Sequence, residues 1–141
     1  MHRRAPPLHR AVLLIGLLPG VMALTACPKP TCSEARARTS NAWQAVVTKS
    51  TECTQDVLRP KLESDMGQAR GNQGNLREFR ESARFATRLF SPDNKEASWS
   101  STGQVARTEV WGEQFEGECP GLLGVVRKAK EARSDADQVC R

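Results

Sequence analysis

The sequence contains no tyrosine, and its two histidines, His2 and His9, both fall within the first nine residues. The rest of the chain therefore lacks the commonest general base and the commonest metal ligand. A serine there has no imidazole to activate it, and a di-metal bundle site lacks its Glu-x-x-His arms. Large apolar residues are also scarce: the 115 residues from Cys27 onward hold 18 Leu, Ile, Val or Phe. That proportion borders on disordered composition, but a near-zero net charge and a helical periodicity argue for a fold with a thin core. The alternation expected of strands is missing. No apolar run reaches the ~20 residues that span a bilayer; Ala11 to Ala26 is 16 residues long and is broken by Pro19-Gly20.

What is present begins with an export pattern. Arg3, Arg4 and Arg10 stand in a first decade without an acid, and a short apolar run follows, as in a cleavable signal. Leu24-Thr25-Ala26-Cys27 then resembles the lipobox of bacterial lipoproteins. The resemblance implies a signal peptide over 1–26, acyl chains such as palmitate on Cys27, a lipidated tether over 27–31 and a folded domain over 32–141. No cofactor beyond that covalent lipid is expected. Pro28-Lys29-Pro30-Thr31 spans at most about 14 Å, and its two prolines keep it extended, so the domain would sit close to the bilayer. Proline rather than aspartate at position 28 resembles the enterobacterial pattern for the outer membrane. Without the three signal arginines the net charge falls from +5 to +2, so the basic pI is no argument for nucleic acid.

Cys32, Cys53, Cys119 and Cys140 are even in number, which in an exported chain predicts two disulfides. Twenty-one residues separate Cys32 from Cys53, and 21 separate Cys119 from Cys140. In a helix that spacing is about 31 Å, far beyond the ~7 Å that a disulfide bridges between Cα atoms. Two antiparallel helices favour Cys32–Cys140 with Cys53–Cys119. The parallel alternative, Cys32–Cys119 with Cys53–Cys140, needs a longer crossover. A zinc site is disfavoured because the close C-x₂₋₄-C pairs are missing.

Four helical segments are expected, giving an all-α bundle. The first runs from Ser33 to Leu58, with Ala35, Ala42, Val46, Cys53 and Val57 on one side and Trp43 and Val47 beside it. Pro60 ends or kinks it, with continuation over Lys61 to Met66 as the alternative, and Gly67 to Asn75 is expected to be a loop. The second segment, Asn75 to Phe90, carries Leu76, Phe79, Ala83, Ala86 and Phe90 at 3-4-3-4 spacing, a packing seam. The third, Gln104 to Glu118, sets Val105, Thr108, Trp111 and Phe115 against Glu109, Glu113 and Glu116. Pro120 suits a first helical turn. In the fourth the expected stripe is Leu122, Val125, Ala129, Ala132, Ala136 and Val139, with both cysteines flanking it.

The sharpest charged feature is Arg77, Arg80, Arg84 and Arg88 beside the second seam. Such a face suits acidic headgroups, a phosphate polymer or an acidic partner. The plainer expectation is a solvated face, or one paired with the glutamates of the third segment. Trp99, in a polar loop, is a candidate anchor for a partner. Lys49 and Ser50 are adjacent and diverge on a helix, so no catalytic residue and no metal site is assigned. The chain is expected to be a non-catalytic binding, accessory or scaffold component of an envelope assembly, with a membrane anchor and a protein partner but no nucleic acid. The alternatives are a periplasmic enzyme, an inhibitor of a cell-wall enzyme, and a purely structural lipoprotein.

Overall fold

A computed structural model describes residues 28–64, 68–95 and 102–141; the expected signal peptide, Cys27 and Trp99 lie outside the described residues. Helix α1 spans Cys32–Glu52 and continues without a break through a π-helical segment, Cys53–Leu58, into α2, Arg59–Ser64. Then come α3 (Ala69–Leu89), α4 (Thr102–Phe115) and α5 (Leu122–Val139). Among the described residues the architecture is thus four helical rods, as expected, and none is long and apolar enough to cross a membrane.

The entry to α1 is set by a capping box. The Thr31 hydroxyl accepts from the Glu34 amide at 3.3 Å, and Glu34 accepts from the Thr31 amide at 2.7 Å. This start makes Cys32 the first helical residue. It is bonded to Cys140 just past the end of α5, and Cys53 at the start of the π-helical segment is bonded to Cys119 just before α5. The Cα separations are 5.0 and 5.6 Å, so α1 and α5 run antiparallel with both rungs in the expected order. Small residues let the two helices approach: the buried Thr39 hydroxyl lies 3.1 Å from the carbonyl oxygens of Ala35 on its own helix and Ala132 on α5.

Val46, Phe79, Phe90, Leu122 and Val126 are fully buried, and Cys53 and Cys119 are only 2% exposed. The second disulfide is therefore part of the core that the sparse aliphatic residues leave thin. Phe79 joins the layers, with its ring 5.3 Å from Trp111 and edge-on to Phe115 at 5.0 Å. The α3 seam is buried as expected, at Leu76, Phe79, Ala83, Ala86 and Phe90. So is that of α4, at Val105, Thr108, Trp111 and Phe115.

Three expectations are corrected. Leu58, not Val57, is the buried residue at the end of the first rod, because the π-helical segment inserts one residue into the turn. At Pro60 the rod takes the expected alternative of continuing, through Ser64; the widened turn before it, where the Arg59 amide donates to the Thr54 carbonyl, accommodates a residue without an N–H. From Ala69 to Asn75 the expected loop is helical, since α3 begins at Ala69, while Gly67 lies outside the described residues. Ala69 and Asn72 prolong the Leu76 stripe, and the Asn72 side-chain amide donates to the Lys61 carbonyl of α2 at 3.2 Å. That tertiary contact offsets the roughly 1 kcal/mol that each helical glycine costs.

Finally, the buried stripe of α5 is Leu122, Val126, Ala129 and Ala136, while Val139 is 36% exposed and Val125 and Ala132 are half-buried. The stripe is rotated by one position onto the line Cys119, Val126, Arg133, Cys140, so the cysteines lie on it rather than beside it. Pro120 correspondingly precedes the helix, and Gly121, at φ +88°, makes the left-handed turn into it.

Candidate functional site

Arg77, Arg80, Arg84 and Arg88 are all exposed along α3, at the i, i+3, i+7, i+11 spacing of one helix face. None of them forms an ion pair or a side-chain hydrogen bond among the described residues. The expected pairing with the glutamates of α4 does not occur, because those carboxylates turn the other way. Glu109 meets Lys130 at 3.2 Å, and Arg127 lies 4.0 Å from Glu109 and 3.5 Å from Glu113, which joins α4 to α5. Glu116 accepts from the backbone amides of Gly121 at 2.7 Å and Leu123 at 2.8 Å. It thereby caps the start of α5, and the Leu123 and then the Gly121 bond hold its carboxyl below the ordinary value. The side-chain hydrogen bond from α4 to α3 among the described residues comes from the neutral Gln114, which donates to Glu78 at 3.1 Å.

The arginine stripe borders three depressions rather than one. Arg77, Arg80 and Arg84 line a shallow hollow of about 280 Å³ that also takes in Leu76 and Glu81. Arg88 borders a hollow of about 410 Å³ with Phe85, Asp93 and Asn94. Between α3 and the π-helical segment lies a groove of about 300 Å³, where Arg59 faces the same space as Arg80 and Arg84 with Thr51, Thr54 and Gln55. No acidic residue lines this third groove.

Arg59 escapes a sequence reading because its position depends on the π-helical turn. In an uninterrupted α-helix it would stand about 120° around the axis from Val47; one extra residue per turn reduces this to about 20°. The face that carries Val47, Thr51 and Thr54 thus acquires a guanidinium. Arg107 is a second missed cation: it lies over the Phe85 ring at 5.2 Å, a cation–π contact that adds positive charge beside Arg88.

A third residue without a clear sequence signal is Arg133, whose side chain is 12% exposed. Its guanidinium donates to the carbonyls of Ser91 at 3.1 Å and Asn94 at 2.6 Å and pairs with Asp137 at 3.5 Å. It clamps the segment after α3 onto α5 and helps to line a cavity of about 810 Å³ near Cys140, with Arg36, Lys95, Asp93 and Asp137. The only hint in the sequence is the seven-residue step through Cys119, Val126, Arg133 and Cys140.

Ser50 and Lys49 diverge as expected. The buried Ser50 hydroxyl donates to the Val46 carbonyl at 2.6 Å, while Lys49 lies 3.8 Å from Glu52. No group of three or more His, Cys, Asp or Glu side chains is placed to hold a metal ion among the described residues. No protein-family model, curated protein or solved structure matches this chain.

Proposed function

We propose that the chain is a lipid-anchored lipoprotein of the bacterial cell envelope, attached through Cys27 and directed to the outer membrane. In this reading it acts as a non-catalytic binding or accessory component of an envelope assembly, and the arginine face of α3 is its recognition surface. The observation that carries the reading is the division of charge. The α4 carboxylates are used internally, against α5, and leave Arg77, Arg80, Arg84 and Arg88 exposed and outside the ion pairs found among the described residues. An unpaired row of guanidinium groups on a disulfide-bonded scaffold suits an anionic partner. Two disulfides agree with an oxidising compartment, and the short tether would hold the bundle near the bilayer.

The test is crosslinking in intact cells followed by purification of the tagged protein from envelope fractions. A dominant partner is expected that is lost when Arg77 and Arg88 are changed to Gln and in the Cys27→Ser form, which is itself released from membranes. Membrane retention of Cys27→Ser would sink the lipid anchor. Absence of any arginine-dependent partner, with the protein free in the membrane, would overturn the recognition surface in favour of a structural or enzymatic role.

A further inference from the structure

We infer that the groove between the π-helical segment and α3 is a phosphate-binding site formed by Arg59, Arg80 and Arg84. This rests on the reading of the arginine face as a binding surface and names the chemistry that one part of it recognises. Three guanidinium groups from two rods border about 300 Å³ of space without a carboxylate among its lining residues. None of the three is engaged in an ion pair or side-chain hydrogen bond among the described residues.

The hydroxyl protons at the groove are already committed. Thr51 donates to the Val47 carbonyl at 2.9 Å, and Thr54 donates to the Ser50 carbonyl at 2.8 Å. The donors left to a ligand are thus the guanidinium forks and the Gln55 amide. Planar forks match the geometry of phosphate oxygens, and several converging forks favour an anion with more than one charged or partly charged oxygen.

The location of the π-helical turn supports the same conclusion. Such turns are uncommon and occur frequently at functional sites. Here its local effect is to swing Arg59 about 100° around the axis into the groove, whereas the hydrophobic contact of Leu58 needs only the insertion and not an arginine after it. A phosphate group can come from a lipid headgroup, as a diester, or from a free phosphate, and the two sources share this chemistry.

Phosphorus-31 NMR titration of the full-length chain in neutral detergent separates the sources. One arm uses inorganic phosphate and the other uses glycerophosphoglycerol, a deacylated headgroup, both at low ionic strength. Saturable binding is expected in at least one arm and should weaken tenfold or more in Arg59→Gln and in Arg80→Gln/Arg84→Gln. It should be unchanged in Arg36→Gln, which borders a different cavity. Tighter binding of the diester assigns the site to a headgroup, and tighter binding of inorganic phosphate assigns it to a free anion. Circular dichroism and non-reducing peptide maps verify that each variant is folded. No saturable binding in either arm, or binding indifferent to Arg59, overturns the site. The broader recognition surface would still stand if a crosslinked partner depended on Arg77 and Arg88.

Discussion

The backbone amide of Arg59 donates to the carbonyl of Thr54, five residues back rather than four. One residue is thus inserted into the first rod after Cys53, which explains both the burial of Leu58 and the side on which Arg59 emerges. Deleting exposed Asp56 should convert the segment to a regular α-helix while keeping Cys53, Leu58 and Arg59 in phase. The deletion variant is expected to fold with both disulfides but to lose about 3 kcal/mol, because a regular helix no longer accommodates Pro60 in its interior. Chemical denaturation measures this. A loss of under about 1 kcal/mol would mean that the widened turn is not what admits Pro60.

The helical glycines divide by what lies beside them. A Cβ on Gly112 would stand 3.1 Å from the Leu123 Cα and 3.2 Å from its Cδ1, whereas Gly74 and Gly124 have nothing within 4 Å. Gly74→Ala should stabilise by about 0.5–1 kcal/mol through helix propensity. Gly112→Ala gains the same propensity but pushes α4 off α5, at an overpacking cost of about 1–3 kcal/mol, so its melting temperature should fall. Equal increases for both variants would contradict the close α4–α5 contact.

The two disulfides should differ in access. Cys53 and Cys119 are 2% exposed, while Cys32 and Cys140 are half-buried. Mild reduction followed by thiol alkylation should label Cys32 and Cys140 first. Replacing Cys53 and Cys119 together with alanine should cost about 2–5 kcal/mol. Labelling in the reverse order would contradict the packing at the core end.

Glu116 links stability to pH. Its carboxyl is held below the ordinary 4.5 by the Leu123 and Gly121 amides. A carboxylate whose folded value is depressed contributes stability at higher pH, which is lost as pH falls below about 4.5 and through the folded value. The difference in melting temperature between the parent and Glu116→Gln should therefore be present at pH 7 and shrink progressively below pH 4.5. An undiminished difference at pH 3 would rule out the cap as its source.

Arg133 should prove a structural cation. Replacing it with Met keeps much of the apolar stem but removes the charged donors to Ser91 and Asn94, which are worth about 1.5–3 kcal/mol. Hydrogen exchange at Asp93 and Asn94 should accelerate at the same time. A Met variant as stable as the parent would show that the clamp contributes nothing.

The helical class, the two disulfides and the seams of α3 and α4 were legible in the amino-acid sequence. A 3-4 repeat of apolar residues and two equal cysteine intervals are local regularities that a regular helix converts directly into geometry. The arginine stripe was legible for the same reason. Tertiary structure alone decided the rest. It placed the α4 glutamates on α5 and not on α3, because partner choice depends on which faces meet. It extended α3 through two glycines, because Asn72 found the Lys61 carbonyl. It rotated the α5 stripe onto Arg133, because backbone carbonyls of the Ser91–Asn94 segment satisfied a buried guanidinium. It also inserted a π-helical turn that brought Arg59 beside Arg80 and Arg84. Each depends on contacts between residues distant in the chain or on a change in helical phase, and neither is written in local periodicity.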